Sequence, residues 1–148
     1  MYETSRSINR PLVDMAALEY ILLGDLRDLL EEEPSEQTSK WLAAILDTLV
    51  DTLPRELAIK SRDGYLEDVL EAQPNWEAHV RQLHEEYKLL CVRLEAFRDQ
   101  VVSRTPYSSI AAQLREDLSE WMLALKNHHR QENKLLQTAV NLEVGGGD

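Results

Sequence analysis

The residues Trp76, Val80, Leu83, Tyr87, Leu90, Leu94, Phe97 and Val101 recur at alternating spacings of four and three. A repeat of about 3.5 residues keeps every member on one face of an α-helix and scatters them over both faces of a strand. This segment therefore folds as a helix with one narrow apolar stripe, the pattern of a helix in a bundle. A second stripe runs through Ile110, Leu114, Leu118, Trp121 and Leu125 and resumes at Leu135 and Ala139, with His128 and Glu132 at the intervening stripe positions. Shorter stripes are Val13, Ala16, Tyr20, Leu23 and Leu30, and Leu42, Ile45, Leu49 and Leu53.

Prolines divide the chain. Pro11, Pro34, Pro54, Pro74 and Pro106 lack a donor and clash with the preceding turn, so each suits the start of a helix better than its interior. They mark off helical segments over 12–33, 35–53, 55–72, 75–104 and 107–140, with Pro54 kinking or splitting the second helix. Leu, Glu, Ala and Gln outnumber the β-branched residues between them, which favours helix over strand. Thr105-Pro106 reads as an N-cap and first-turn pair, and Gly145-Gly146-Gly147 as a helix end. The Asp-Gly of Ser61-Arg-Asp-Gly64 predicts a turn before a short helix from Tyr65 to Glu71. Long amphipathic helices with short connections predict an all-α, antiparallel up-down four-helix bundle with an additional short helix, as one domain over 1–148.

The 148 residues are enough to bury a real core, about 68–70% of the unfolded chain's surface. With 27 Asp plus Glu against 16 Lys plus Arg, the net charge of −11 repels a phosphate backbone or an anionic membrane. Neither nucleic acid nor membrane is therefore an expected partner. Residues 12–30 are apolar but interrupted by Asp14, Glu19, Asp25, Arg27 and Asp28, so they make neither a signal-peptide core nor a membrane span. The single thiol, Cys91, cannot close an intramolecular disulfide and excludes a Cys-based zinc or iron–sulfur site. Together these features suggest a soluble, cytoplasmic protein. Cys91 lies beside the stripe at Leu90 and Leu94, which reads as a buried structural thiol rather than a nucleophile. Trp41, Trp76 and Trp121 read as core or helix-end packing, and an exposed Trp41 as the alternative of a protein interface.

The strongest local signal is HHRQENKLLQ, beginning at His128. His128 and Glu132 are four apart on the inward face of a helix and can offer an imidazole and a carboxylate to one metal, or to each other. The adjacent His128 and His129 point about 100° apart on a helix, and His79 and His84 about 140° apart, so neither pair readily reaches one site. No His has a Glu three residues before it, which removes the carboxylate-rich di-iron design built on Glu-x-x-His.

The run HHRQENKLLQ with the later GGGD resembles the last helix and C-terminus of bacterial hemerythrin-like (HHE cation-binding) domains. LPRELAIKSRDGYLEDVLEAQP is similar to the family segment in which an HFxxEE-like motif leads into GGYL and a proline, and QLHEEYKLLCVRLEAF to its third helix. The resemblance covers roughly residues 15–148. It implies a four-helix bundle that holds two non-haem irons with five His and two bridging carboxylates and handles dioxygen or a related small molecule.

Residue by residue, this chain departs from that set. Glu56 and Lys60 stand where the second helix should offer His and Glu, Tyr87 stands at the third-helix His with His84 three residues earlier, and Tyr20 matches the first-helix His. Only His128 and Glu132 match ligand positions in kind, and the chain's four His cannot furnish five. The resemblance thus implies a domain degenerate at most metal-ligand positions. Lys60 would either bring a cation into a vestigial pocket among Glu56, Glu132 and His128, with the Tyr20 and Tyr87 hydroxyls nearby, or reach out to solvent and leave the pocket filled with apolar side chains. The expected function is a non-enzymatic structural or protein-interaction module, with a protein partner or a homo-oligomer and no cofactor. The alternative is a non-haem iron domain that uses His128 and Glu132 to bind or sense dioxygen or nitric oxide.

Overall fold

The computed structural model describes residues 2–62, 67–103 and 105–146, and its regular structure there is helical throughout. Four long helices, α1 (Tyr2–Glu31), α2 (Glu36–Arg62), α4 (Glu77–Val102) and α5 (Tyr107–Gly146), form the bundle. A short helix, α3 (Glu67–Ala72), and a 3-10 turn (Pro74–Trp76) link α2 to α4. Short connections make sequential neighbours antiparallel, and α1 packs on α2, α2 on α4, α4 on α5 and α5 back on α1. The α1–α5 seam is the least closely packed of the four.

Local chemistry sets the ends. Pro34 stops α1 from running on, and Ser35 caps α2: its hydroxyl accepts the Thr38 amide at 3.1 Å and its carbonyl the Ser39 amide at 2.9 Å. The Thr38 hydroxyl donates back to the Glu33 carbonyl at 3.1 Å, which ties the α1–α2 turn to the cap. At the other connection, the Ser103 hydroxyl donates to the Gln100 carbonyl at 2.7 Å, and the Pro106 carbonyl accepts the Ser109 amide at 3.0 Å.

The long stripes predict the core. Val80, Leu83, Tyr87, Leu90, Leu94, Phe97 and Val101 are all buried on α4, and Leu114, Leu118, Trp121, Leu125, His128, Glu132 and Leu135 on α5. On α2 the expected Leu42, Ile45, Leu49 and Leu53 are joined by Leu46. Trp121 is wholly enclosed and its indole N–H donates to the Leu90 carbonyl at 2.9 Å, which satisfies the one polar atom of that side chain. A second, smaller apolar cluster of Val69, Val80, Leu83 and Leu135 joins α3, α4 and α5.

Several expected boundaries differ. α2 continues through Pro54 as one helix to Arg62. Proline removes one backbone bond, and Pro54 lies on the exposed side, where its ring displaces no packed neighbour. α1 begins at Tyr2, so Pro11 lies within it rather than heading it. α5 reaches Gly146, past the first two of the three glycines, while α3 is described over Glu67–Ala72 and its expected start at Tyr65 lies outside the described residues. The Asp63-Gly64 turn lies outside the described residues.

The largest correction is on α1. Val13 and Tyr20 are 64% and 82% exposed, while Glu19 is 5% exposed and shares the inward face with Leu26 and Leu30. The expected stripe assumed apolar residues inside. The real one begins with a carboxylate that α5 receives.

Candidate functional site

Where the main core ends and the smaller apolar cluster begins, the bundle carries a layer of polar side chains. α1 contributes Glu19, α2 Glu56 and Lys60, α4 Tyr87, and α5 His128, His129 and Glu132. Glu19, Glu56, His128 and Glu132 are between 1% and 6% exposed, a burial that charged groups tolerate only when paired and hydrogen-bonded.

Lys60 is the hub. Its ammonium lies 2.7 Å from Glu132 Oε1 and 3.2 Å from Glu56 Oε1, and 5.8 Å from the centre of the Tyr87 ring. The Tyr87 hydroxyl donates to Glu56 Oε2 and to the Leu53 carbonyl, each at 3.3 Å. Across the seam, His129 Nε2 bonds Glu19 Oε1 at 2.9 Å. His128 Nε2 stands 3.4 Å from Glu132 Oε2 and Nδ1 3.9 Å from Glu86 Oε1, yet neither nitrogen has an aligned hydrogen-bond partner. The His128 ring packs 5.2 Å from Tyr87 and 5.8 Å from His129, centre to centre.

The electrostatics follow from burial opposed by pairing. Burial penalises an ionised Glu132, but the His128 ring and the Lys60 ammonium outweigh it and hold the carboxyl down to about 2. Burial likewise works against Glu19, and the bonds from His129 and Glu56 win, lowering its pKa. Glu56 goes the other way: burial, then the charge and hydrogen bond of Glu19, raise it to about 6 against the pull of Lys60. Of the two, Glu56 is therefore the one that takes up a proton as the pH falls through about 6. For Lys60, the burial penalty is overcome by Glu132 and Glu56, so its pKa rises. His129 is raised too, its bond to Glu19 outweighing burial. Tyr87 is pushed far above its usual range by burial and stays a neutral donor.

A cavity of about 420 Å³ opens onto this layer through the loose α1–α5 seam. Its floor holds Glu19, Glu56, Lys60, His129 and Glu132, and Val13, Ala16 and Leu23 stand at its lip. Tyr20 also stands there, exposed rather than turned toward Lys60 as expected, because the inward α1 position belongs to Glu19.

Of the residues singled out from sequence, the structure brings Glu56, Lys60, Tyr87, His128 and Glu132 together. Glu19 and His129 were missed. Glu19 was readable by counting back seven and eleven residues from Leu26 and Leu30. His129 carried no such signal, because α4 and α1 flank α5 on different sides, so two adjacent imidazoles reach the layer from different directions. His79 is exposed, and His84, half-buried, is not among the residues that form the layer.

As to metal, Glu19, Glu56 and His129 offer ligand atoms within 4.8 Å of one another. This is a partial site of two carboxylates and one imidazole. Among the described residues these three ligands fall short of the full donor set of a di-iron site, and the Lys60 ammonium engages Glu56 and Glu132 beside them. The His128–Glu132 pair lies beside this partial site, with Glu132 engaged by Lys60. In comparisons with known proteins, no family model, no curated protein and no solved structure matches the chain.

Proposed function

We propose that the chain is a degenerate hemerythrin-like bundle in which an internal ion network stands in for the di-iron centre, and that it acts as a non-enzymatic structural or protein-interaction module. The observation that carries this reading is Lys60, whose ammonium binds Glu56 and Glu132 at 3.2 and 2.7 Å inside the bundle. A fixed ammonium supplies the positive charge that buried carboxylates otherwise obtain from a cation, and it offers no open coordination position. The test is metal analysis with a visible absorption spectrum, on protein produced in iron-supplemented cells. Metal well below one per chain is expected. Two irons per chain with an oxo-bridged band would overturn the reading.

A second reading is favoured by the geometry of Glu19, Glu56 and His129, whose donor atoms converge within 4.8 Å beside the cavity. On this reading a single divalent ion, iron being the candidate for dioxygen or nitric oxide, displaces the His129–Glu19 hydrogen bond and takes all three side chains as ligands. Equilibrium dialysis against Zn²⁺ or Fe²⁺ separates the two. One ion per chain, lost in His129→Ala and kept in Tyr20→Ala, establishes the metal site.

A further inference from the structure

The outer surface where α1 meets α2 holds a groove of about 690 Å³, at the end of the bundle away from the polar layer. Its apolar floor is Leu22 and Leu29 from α1 and Trp41 and Ile45 from α2. Trp41 is 57% exposed, a large aromatic left in water on a helix whose other face is fully packed. The rim carries Asp25 and Asp28 on α1 and Glu32 just past its end, and among the described residues no Lys, Arg or His lines the groove. The Asp28 carboxylate also meets Arg27 at 3.6 Å, an exposed pair that a competing cation displaces at little cost. Arg115 donates to the Glu32 backbone carbonyl at 3.3 Å rather than to its carboxylate.

The lining residues repeat with helical spacing on both walls. On α1 they fall at 22, 25, 28 and 29, with Glu32 just past its end, and on α2 at 37, 38, 41, 44, 45 and 48. Each wall therefore runs for about 15–16 Å at 1.5 Å per residue, the length of three helical turns. A helix laid in the groove meets apolar floor at every third or fourth residue and acid along one edge.

We propose that this groove is the docking site for a basic amphipathic helix of a partner protein, with apolar anchors spaced three and four apart and Lys or Arg along the flank that faces α1. The inference rests on the interaction-module reading above and names its surface and the chemistry of its partner. Charge decides the occupant: a second copy of this chain, at a net −11, brings further acid to an acidic rim, whereas a cationic helix neutralises it. Trp41 supplies the aromatic anchor around which such interfaces concentrate their binding energy.

The test uses the full chain and a labelled synthetic helix of about 14 residues, with Leu at spacings of three and four and Lys on the flanks, followed by fluorescence anisotropy. A same-composition peptide with scrambled spacing and a peptide with Glu in place of Lys serve as controls. Binding by the periodic basic peptide is expected to be at least tenfold tighter than by either control. Trp41→Ala weakens it about thirtyfold, as a central anchor does. The combined Asp25→Asn, Asp28→Asn and Glu32→Gln exchange weakens it about tenfold, at two- to threefold per exposed charge, and flattens its salt dependence. Leu89→Ala, at an exposed site on α4, leaves binding unchanged and shows that the effect is local. Equal binding of the scrambled peptide, no loss in Trp41→Ala, or a concentration-dependent dimer that Trp41→Ala dissolves would overturn the proposal. Metal content measured on the same preparation keeps the two readings apart. Stoichiometric iron with peptide binding intact defeats the ion-network reading alone, and metal-free protein that binds no peptide defeats the groove alone.

Discussion

Replacing Glu56 and Glu132 in turn by glutamine should change stability in opposite directions, although both side chains are buried and both touch the same ammonium. Glu56 sits at about 6 against an ordinary 4.5, so keeping it ionised at pH 7 costs about 1.5 pH units, or about 2 kcal/mol at 1.36 kcal/mol per unit. Glu132 is held at about 2 against 4.5, so its ionised form contributes about 2.5 units, or about 3 kcal/mol. Glutamine mimics the protonated form of each. Glu56→Gln is therefore expected to stabilise the fold by up to about 2 kcal/mol at pH 7, and Glu132→Gln to destabilise it by about 3 kcal/mol.

The pH dependence carries the signs. A raised carboxyl such as Glu56 stabilises fully below 4.5, and that contribution is lost as the pH climbs through about 6, so the advantage of Glu56→Gln vanishes toward pH 4.5. A depressed one such as Glu132 stabilises above 4.5 and loses that contribution as the pH falls toward about 2, so the deficit of Glu132→Gln is complete at neutral pH. Urea unfolding followed by circular dichroism at pH 4.5 and pH 7 measures both. With a slope of about 2 kcal/mol/M, the expected midpoint shifts are about 1 M upward and about 1.5 M downward. Equal destabilisation by the two glutamines at pH 7, or a loss above about 1 kcal/mol in Glu56→Gln, would refute the opposite shifts of the two carboxyls.

Lys60→Met strips the layer of its fixed cation and is expected to cost about 3–5 kcal/mol in chemical denaturation, with at least half restored when Glu132→Gln is added. Ser35→Ala removes the α2 cap and should lower stability by about 1 kcal/mol in thermal unfolding. Burial pushes the Cys91 thiol up to about 11 from 9.0, so its alkylation at pH 8 should run about a hundredfold slower than that of an unperturbed thiol, measured by mass spectrometry. Tyr20→Ala should shift the melting midpoint negligibly, whereas Glu19→Ala, which orphans His129, should lower stability by about 2 kcal/mol.

The bundle was legible because α4 and α5 carry long stripes in which nearly every inward position is apolar. The polar layer was half legible for the same reason: His128 and Glu132 interrupt a stripe, and an interruption on an inward face announces a buried polar group. α1 was misread because apolar residues lie on both of its sides, Ile21, Leu22 and Leu23 among them, so several faces score alike and the one beginning with a carboxylate is passed over. What selects that face is His129 on a distant part of the chain, and a pairing across 110 residues leaves no local periodicity. The continuity of α2 through Pro54 was hidden for a different reason. The cost of a helix proline depends on which side of the helix it faces, and that is decided by tertiary packing.

The polar layer also indexes the helices against one another. Leucines every three or four residues pack nearly as well after α5 slides one turn along α2, so apolar stripes alone leave the axial alignment loosely specified. Such a slide would carry Leu135 or His128 to the Lys60 ammonium in place of Glu132, leaving a charge against hydrocarbon or imidazole and a carboxylate without its cation. Glu19 and His129 impose the same condition between α1 and α5. One alignment of the bundle satisfies both pairs, and the polar layer selects it from its leucine-packed neighbours.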